Sequence, residues 1–148
     1  MSDFPDRLEY NAGLANAPGD PFGRTELMVA ADGRARLVHR HVGQARAWTG
    51  QVDVATLHAV WAALERGGFP QIPDHPMPGG AALRTVLAHT GAQPSGGHVA
   101  WNAARDLPGY ADAFPMLDSI VRQLSENTVE AAPDTLPPVV TGIVREPA

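Results

Sequence analysis

Apolar and polar residues alternate or recur along this chain in patterns that predict a short series of elements. Arg7-Leu8-Glu9-Tyr10 alternates as a strand does. Asn11 to Gly23, rich in Ala, Asn, Gly and Pro, reads as a loop. The clearest local signal follows, where Thr25 to Ala30 and Arg34 to His41 flank Ala31-Asp32-Gly33 as the arms of a β-hairpin. A two-residue Asp-Gly turn would set Val29 opposite Arg36 and mix apolar with charged groups on both faces. A three-residue loop with Gly33 in the left-handed position sets Leu27 opposite Leu37, Val29 opposite Ala35 and Thr25 opposite His39. Glu26, Met28, Arg34, Arg36, Val38 and Arg40 then share the other face. The second register is preferred, because a one-residue slip turns every side chain over and only this one separates core from solvent.

Ala45 to Thr49 predicts a further strand. Asp53 is suited to cap a helix in which Val54, Leu57, Val60, Trp61 and Leu64 recur on one stripe. Gly67-Gly68 stops that helix, Phe69 can fold back on Leu64, and Pro70 prevents continuation. Gln71 to Gly80 holds three prolines (Pro73, Pro76 and Pro78) and reads as a loop. Two strands follow, one with Leu83, Thr85, Leu87 and His89 on one face, the other with Val99 and Trp101. Gly91 to Gly97 reads as the hairpin loop between them. A second helix is predicted from Pro115 to Leu124, with Phe114, Leu117, Ile120, Val121 and Leu124 buried and Tyr110 in the lead-in turn. Asp106, Asp112 and Asp118 read as solvated charges near its start.

The expected fold class is therefore α+β: an antiparallel sheet of about five or six strands with two helices packed on one face. Residues 1–125 are expected to form a single domain. Residues 126–148 are a proline-interrupted extension whose Val139 to Val144 either adds a strand or exchanges it with a second subunit, which would give a homodimer.

Composition narrows the chemistry. The 148 residues carry a formal charge of −5, with 44% hydrophobic and 18% charged positions, enough apolar material for one packed core. All eleven basic residues are arginine, and cysteine is absent. Without lysine there is no Schiff base or phosphate-loop lysine, and without cysteine no thiolate nucleophile, disulfide or cysteine metal site. An arginine-only, Ala-, Gly- and Pro-rich composition suggests a bacterial source. The acidic balance argues against nucleic acid. No apolar run reaches the roughly 18 residues a membrane span needs, and the acidic N-terminus does not resemble an export signal, so a cytoplasmic location is expected.

Candidate chemistry is sparse. His39 and His41 share a strand face, as paired imidazole metal ligands do, but no third ligand follows at a signature spacing. Ser95 lies in Pro94-Ser95-Gly96-Gly97, which lacks the strand-to-helix context of a nucleophile elbow. Arg34, Arg36 and Arg40 form a stripe suited to bidentate contact with carboxylates. Trp48 and Trp101, near strand ends, read as either core lids or interface anchors.

The order of elements, with Leu8-Glu9-Tyr10, Asp32-Gly33 and the helix ending in Gly67-Gly68-Phe69, resembles the emfourins, small bacterial inhibitors of thermolysin-type proteases. The resemblance spans about Arg7 to Leu124 and implies protease inhibition. The chain departs from the pattern in a longer first loop and in its C-terminal extension, and no functional residue is carried over. The expectation is a non-enzymatic protein-binding module of immunity or inhibitor type, without cofactor, binding through Arg34, Arg36, Arg40, Trp48 and Trp101. The alternative is a small-molecule-binding protein or enzyme with a pocket between sheet and helices lined by His39, His41 and Arg36 or His89.

Overall fold

The computed structural model describes residues 4–13, 23–41, 44–75, 83–91, 93–100, 103–126, 128 and 136–146. The described residues form strands β1 (Arg7–Gly13), β2 (Arg24–Ala30), β3 (Arg34–His41) and β4 (Gln44–Val52), then helix α1 (Val54–Arg66). Strands β5 (Leu83–Thr90) and β6 (Gln93–Ala100), helix α2 (Tyr110–Leu124) and strand β7 (Val140–Arg145) complete the order. The strands make one antiparallel sheet, ordered β6-β5-β1-β2-β3-β4-β7. The α+β class is as expected, but the sheet has seven strands rather than five or six.

The β2–β3 hairpin has the predicted register, with Leu27 opposite Leu37, Val29 opposite Ala35 and Thr25 opposite His39. Gly33, at φ +93°, closes its loop by donating its N–H to the Ala30 carbonyl at 2.9 Å. Alternation then assigns the faces. Leu8 and Tyr10 of β1, Leu27 and Val29 of β2, Leu37 of β3, Trp48 of β4 and Val86 of β5 are buried on one side. These residues join the buried positions of α1 and α2 in one hydrophobic cluster. Each fully buried aliphatic or aromatic side chain there contributes about 1.5–3 kcal/mol, so the cluster dominates stability.

Several boundaries differ from expectation for physical reasons. Asn11 to Gly13, predicted as loop, continue β1, because β1 has a partner on each side and its ladders override local composition. Gln93 to Gly97, predicted as hairpin loop, belong to β6. An edge strand has one unpaired side, so Pro94, which lacks an N–H, is accommodated there. Helix α2 starts five residues before Pro115, which consequently lies inside it. Pro115 cannot bond back to Ala111, and the full burial of Tyr110 and Ala113 holds the first turn instead. At Gly109, which precedes this helix, a Cβ would stand 2.7 Å from Gly67 Cα, so the end of α1 and the start of α2 approach at two glycines.

Helix α1 ends at Gly67 as predicted, and Asp53 takes the capping position without a side-chain cap bond. Leu57, Val60 and Leu64 are buried, whereas Val54 is 39% exposed. The C-terminal strand β7 pairs with β4 of the same chain. Gln123 of α2 fixes the approach to it, donating to the Pro137 carbonyl at 3.0 Å and accepting from the Val139 N–H at 2.9 Å. No described helix is long and apolar enough to cross a membrane.

Candidate functional site

Two polar clusters sit on β1 and β5, one on each side of the sheet. On the core side, the Tyr10 hydroxyl donates to Asp118 Oδ1 at 2.7 Å, and Arg84 Nη1 donates to Asp118 Oδ2 at 2.8 Å and to the Tyr10 oxygen. The Arg84 guanidinium also lies over the Phe114 ring, 5.1 Å from its centroid. Asp118, expected to be a solvated helix charge, is 1% exposed. It occupies the apolar stripe of α2, four residues after Phe114 and three before Val121, and so points into the sheet. Burial, reinforced by the Asp118 charge, pushes the Tyr10 pKa well above the ordinary tyrosine value. Burial disfavours the Arg84 cation, but Tyr10 and Asp118 outweigh this and hold its pKa above the ordinary arginine value. The three groups hydrogen-bond one another inside the core and tie β1, β5 and α2 together. This is a structural clamp.

The opposite face carries the groups that can meet a partner. Arg36 and Arg40 of β3 project there with side chains 55% and 58% exposed, beside Arg34 at 78%. Each is held through Nε by one carboxylate: Arg34 by Asp32 at 2.8 Å, Arg36 by Glu146 at 2.9 Å and Arg40 by Glu26 at 3.4 Å. Their terminal nitrogens make no hydrogen bond among the described residues. The Arg34 backbone N–H in turn lowers the Asp32 pKa below the usual aspartate value. Half-buried Met28, opposite Arg36, and Leu87, opposite Glu9, add apolar surface to this face.

Across the same face, β1 and β5 carry an acid held on two sides. Glu9 Oε1 lies 3.0 Å from His89 Nε2, and Glu9 Oε2 accepts from Asn11 Nδ2 at 2.6 Å. Asn11 is 8% exposed, and its Oδ1 is buried without a hydrogen-bond partner among the described residues. Leaving such an acceptor unmet costs about 1–3 kcal/mol. Beside it on β5, Thr85 Oγ1 lies 2.8 Å from His98 Nδ1 of β6. Neither Glu9 nor Asn11 stands out in the sequence, because Asn11 opens a stretch of loop composition and Glu9 belongs to an ordinary strand alternation.

The remaining sequence candidates fall apart spatially. Trp48 is 1% exposed in the core opposite Leu37, which fits the core lid and not the anchor. His39 is 8% exposed on the core side, while Arg36 and His89 lie on the opposite face, so these residues do not line one pocket. Trp101 and the His41 side chain lie outside the described residues. Among the described residues no group of three or more His, Asp or Glu is placed to hold a metal ion. Ser95 lies exposed in the edge strand β6, opposite Ala88, with no base hydrogen-bonded to it among the described residues. Comparison with family models, curated proteins and solved structures finds no match.

Proposed function

We propose that this chain is a non-enzymatic protein-binding module, of immunity or inhibitor type, that docks its partner on the sheet face opposite the core. Both helices cover the core face, and the arginine stripe of β3 faces outward as the docking surface. One observation supports this most: Arg34, Arg36 and Arg40 are each anchored through Nε while their terminal nitrogens stay free of hydrogen bonds among the described residues. A guanidinium held this way presents its remaining donors in a fixed orientation, which suits a planar carboxylate on a partner.

The two sheet edges are poorer docking sites. In β6, Pro94 lacks a donor, and the Ala100 N–H is already taken by His75 Nε2 at 3.1 Å. In β7, a register shift against Thr49 and Gln51 interrupts the ladder. Both devices blunt strand addition.

The experiment is capture from a lysate of the source organism by wild-type protein and by a R36E/R40E variant. A stoichiometric protein retained by wild type and lost by the variant is the expected result. Equal retention by both overturns the assignment of this face.

A further inference from the structure

We propose that the β1–β5 half of this face receives a basic side chain of the partner, an ammonium or a guanidinium, with Asn11 Oδ1 as its innermost acceptor. The inference rests on the docking face proposed above and specifies what the partner must carry. Three observations converge on it. The first is the orientation of Asn11. A carboxylate can only accept, so the 2.6 Å contact with Glu9 Oε2 must come from the Asn11 amide NH2. The amide is therefore not interchangeable with its flipped form, and Oδ1 is the atom left buried and unmet.

The second is the surrounding chemistry. Asn11 lies directly between Thr85 of β5 and Glu26 of β2, with Glu9 two residues back on its own strand. These neighbours all present oxygen. Glu26 is already offset by Arg24 at 3.7 Å and Arg40 at 3.4 Å, whereas the Glu9 carboxylate beside Asn11 makes no ion pair with an arginine among the described residues. It repels an anion, whereas a cation that donates to Asn11 Oδ1 also gains its field. A metal ion is a poor fit, since the described residues assemble no set of three metal-binding groups here. The third is preorganisation. His89 steadies one Glu9 oxygen at 3.0 Å and Asn11 the other, so the carboxylate is already placed before a ligand arrives. An arginine stripe for acids and an oxygen-lined site for a base then select a partner with both charges at matching spacing.

The test is a titration of the full-length, isotope-labelled protein by NMR, following the Asn11 side-chain NH2 and the His89 and His98 rings. The probes are N-acetyl-lysine methylamide, N-acetyl-arginine methylamide and, as an uncharged control, N-acetyl-norleucine methylamide. Saturable shifts at Asn11 with a basic probe, and none with the norleucine probe, are expected; the stronger basic probe distinguishes ammonium from guanidinium. Binding should weaken at least tenfold in N11L and, with shape retained, in E9Q. Absence of saturable shifts with both basic probes, or unchanged affinity in folded E9Q, overturns the proposal. In R36E/R40E the probe shifts should persist. If that variant loses partner capture while wild type shows no probe shift, this inference fails and the docking face stands. Probe shifts together with capture that the variant leaves unaffected would uphold the cation site and overturn the docking face.

Discussion

The two polar clusters on β1 and β5 are separated by one step of strand alternation, yet they are opposite in kind. Tyr10, Arg84 and Asp118 point into the core and hydrogen-bond one another. Glu9, Asn11 and His89 point the other way, and one buried oxygen, Asn11 Oδ1, has no hydrogen-bond partner among the described residues. Each is centred on a carboxylate, so the carboxylate itself does not distinguish structural from functional chemistry. Burial does. The Asp118 side chain is 2% exposed and that of Glu9 24%, so the first set is sealed inside the fold and the second can be met from outside.

Breaking the closed cluster should produce the largest effect. Asp118→Asn leaves the buried Arg84 cation without its counter-charge and should lower the unfolding free energy by about 3–5 kcal/mol, measured by chemical denaturation. A loss below about 1 kcal/mol would mean that the cluster does not clamp β1, β5 and α2 together.

Alkaline pH sharpens the comparison next. The chain has two tyrosines, Tyr10 and Tyr110. Burial raises both, Tyr110 to about 12. A tyrosine whose folded pKa exceeds its unfolded value stabilises fully below the unfolded value near pH 10, and that stability is lost as pH rises towards the folded value. Between about pH 10 and 12, unfolding then releases up to two protons, and stability should fall by about 1.4 kcal/mol per pH unit for each tyrosine. Tyr10→Phe should remove one share of that slope. An unchanged slope would place Tyr10 in contact with water.

The smallest effect is expected on the opposite face. His89→Ala removes a partly exposed hydrogen bond to Glu9 and should cost less than about 1 kcal/mol by thermal unfolding, despite a contact nearly as short as those in the core. A cost comparable to that of Asp118→Asn would erase the distinction between the faces.

The β2–β3 hairpin and α1 are legible in the sequence because their periodicities are strict and each has one apolar side. The closed cluster is concealed for a different reason. In β5 both faces carry apolar residues, Leu83 and Leu87 on one and Val86 and Ala88 on the other, so alternation alone does not place Arg84 inside. Asp118 has a readable signal in its helical phase, but its charge outweighs that phase until its partners, 34 and 108 residues away, are known. The open cluster is hidden by composition: Asn11 looks like a loop residue unless two neighbouring strands are seen to hold it. The edge strand β6 is hidden in the same way, since its Pro and Gly are tolerated only where one ladder is missing.

On this proposal one face of the sheet carries stability and the other carries recognition. Methyl relaxation by a soluble paramagnetic probe, recorded with and without the captured partner, tests that division most directly. Met28 and Leu87 should be relaxed in the free protein and shielded in the complex, while exposed Val54 on α1 stays relaxed in both. Shielding of Val54 with Met28 and Leu87 unchanged would place the partner elsewhere and contradict the division.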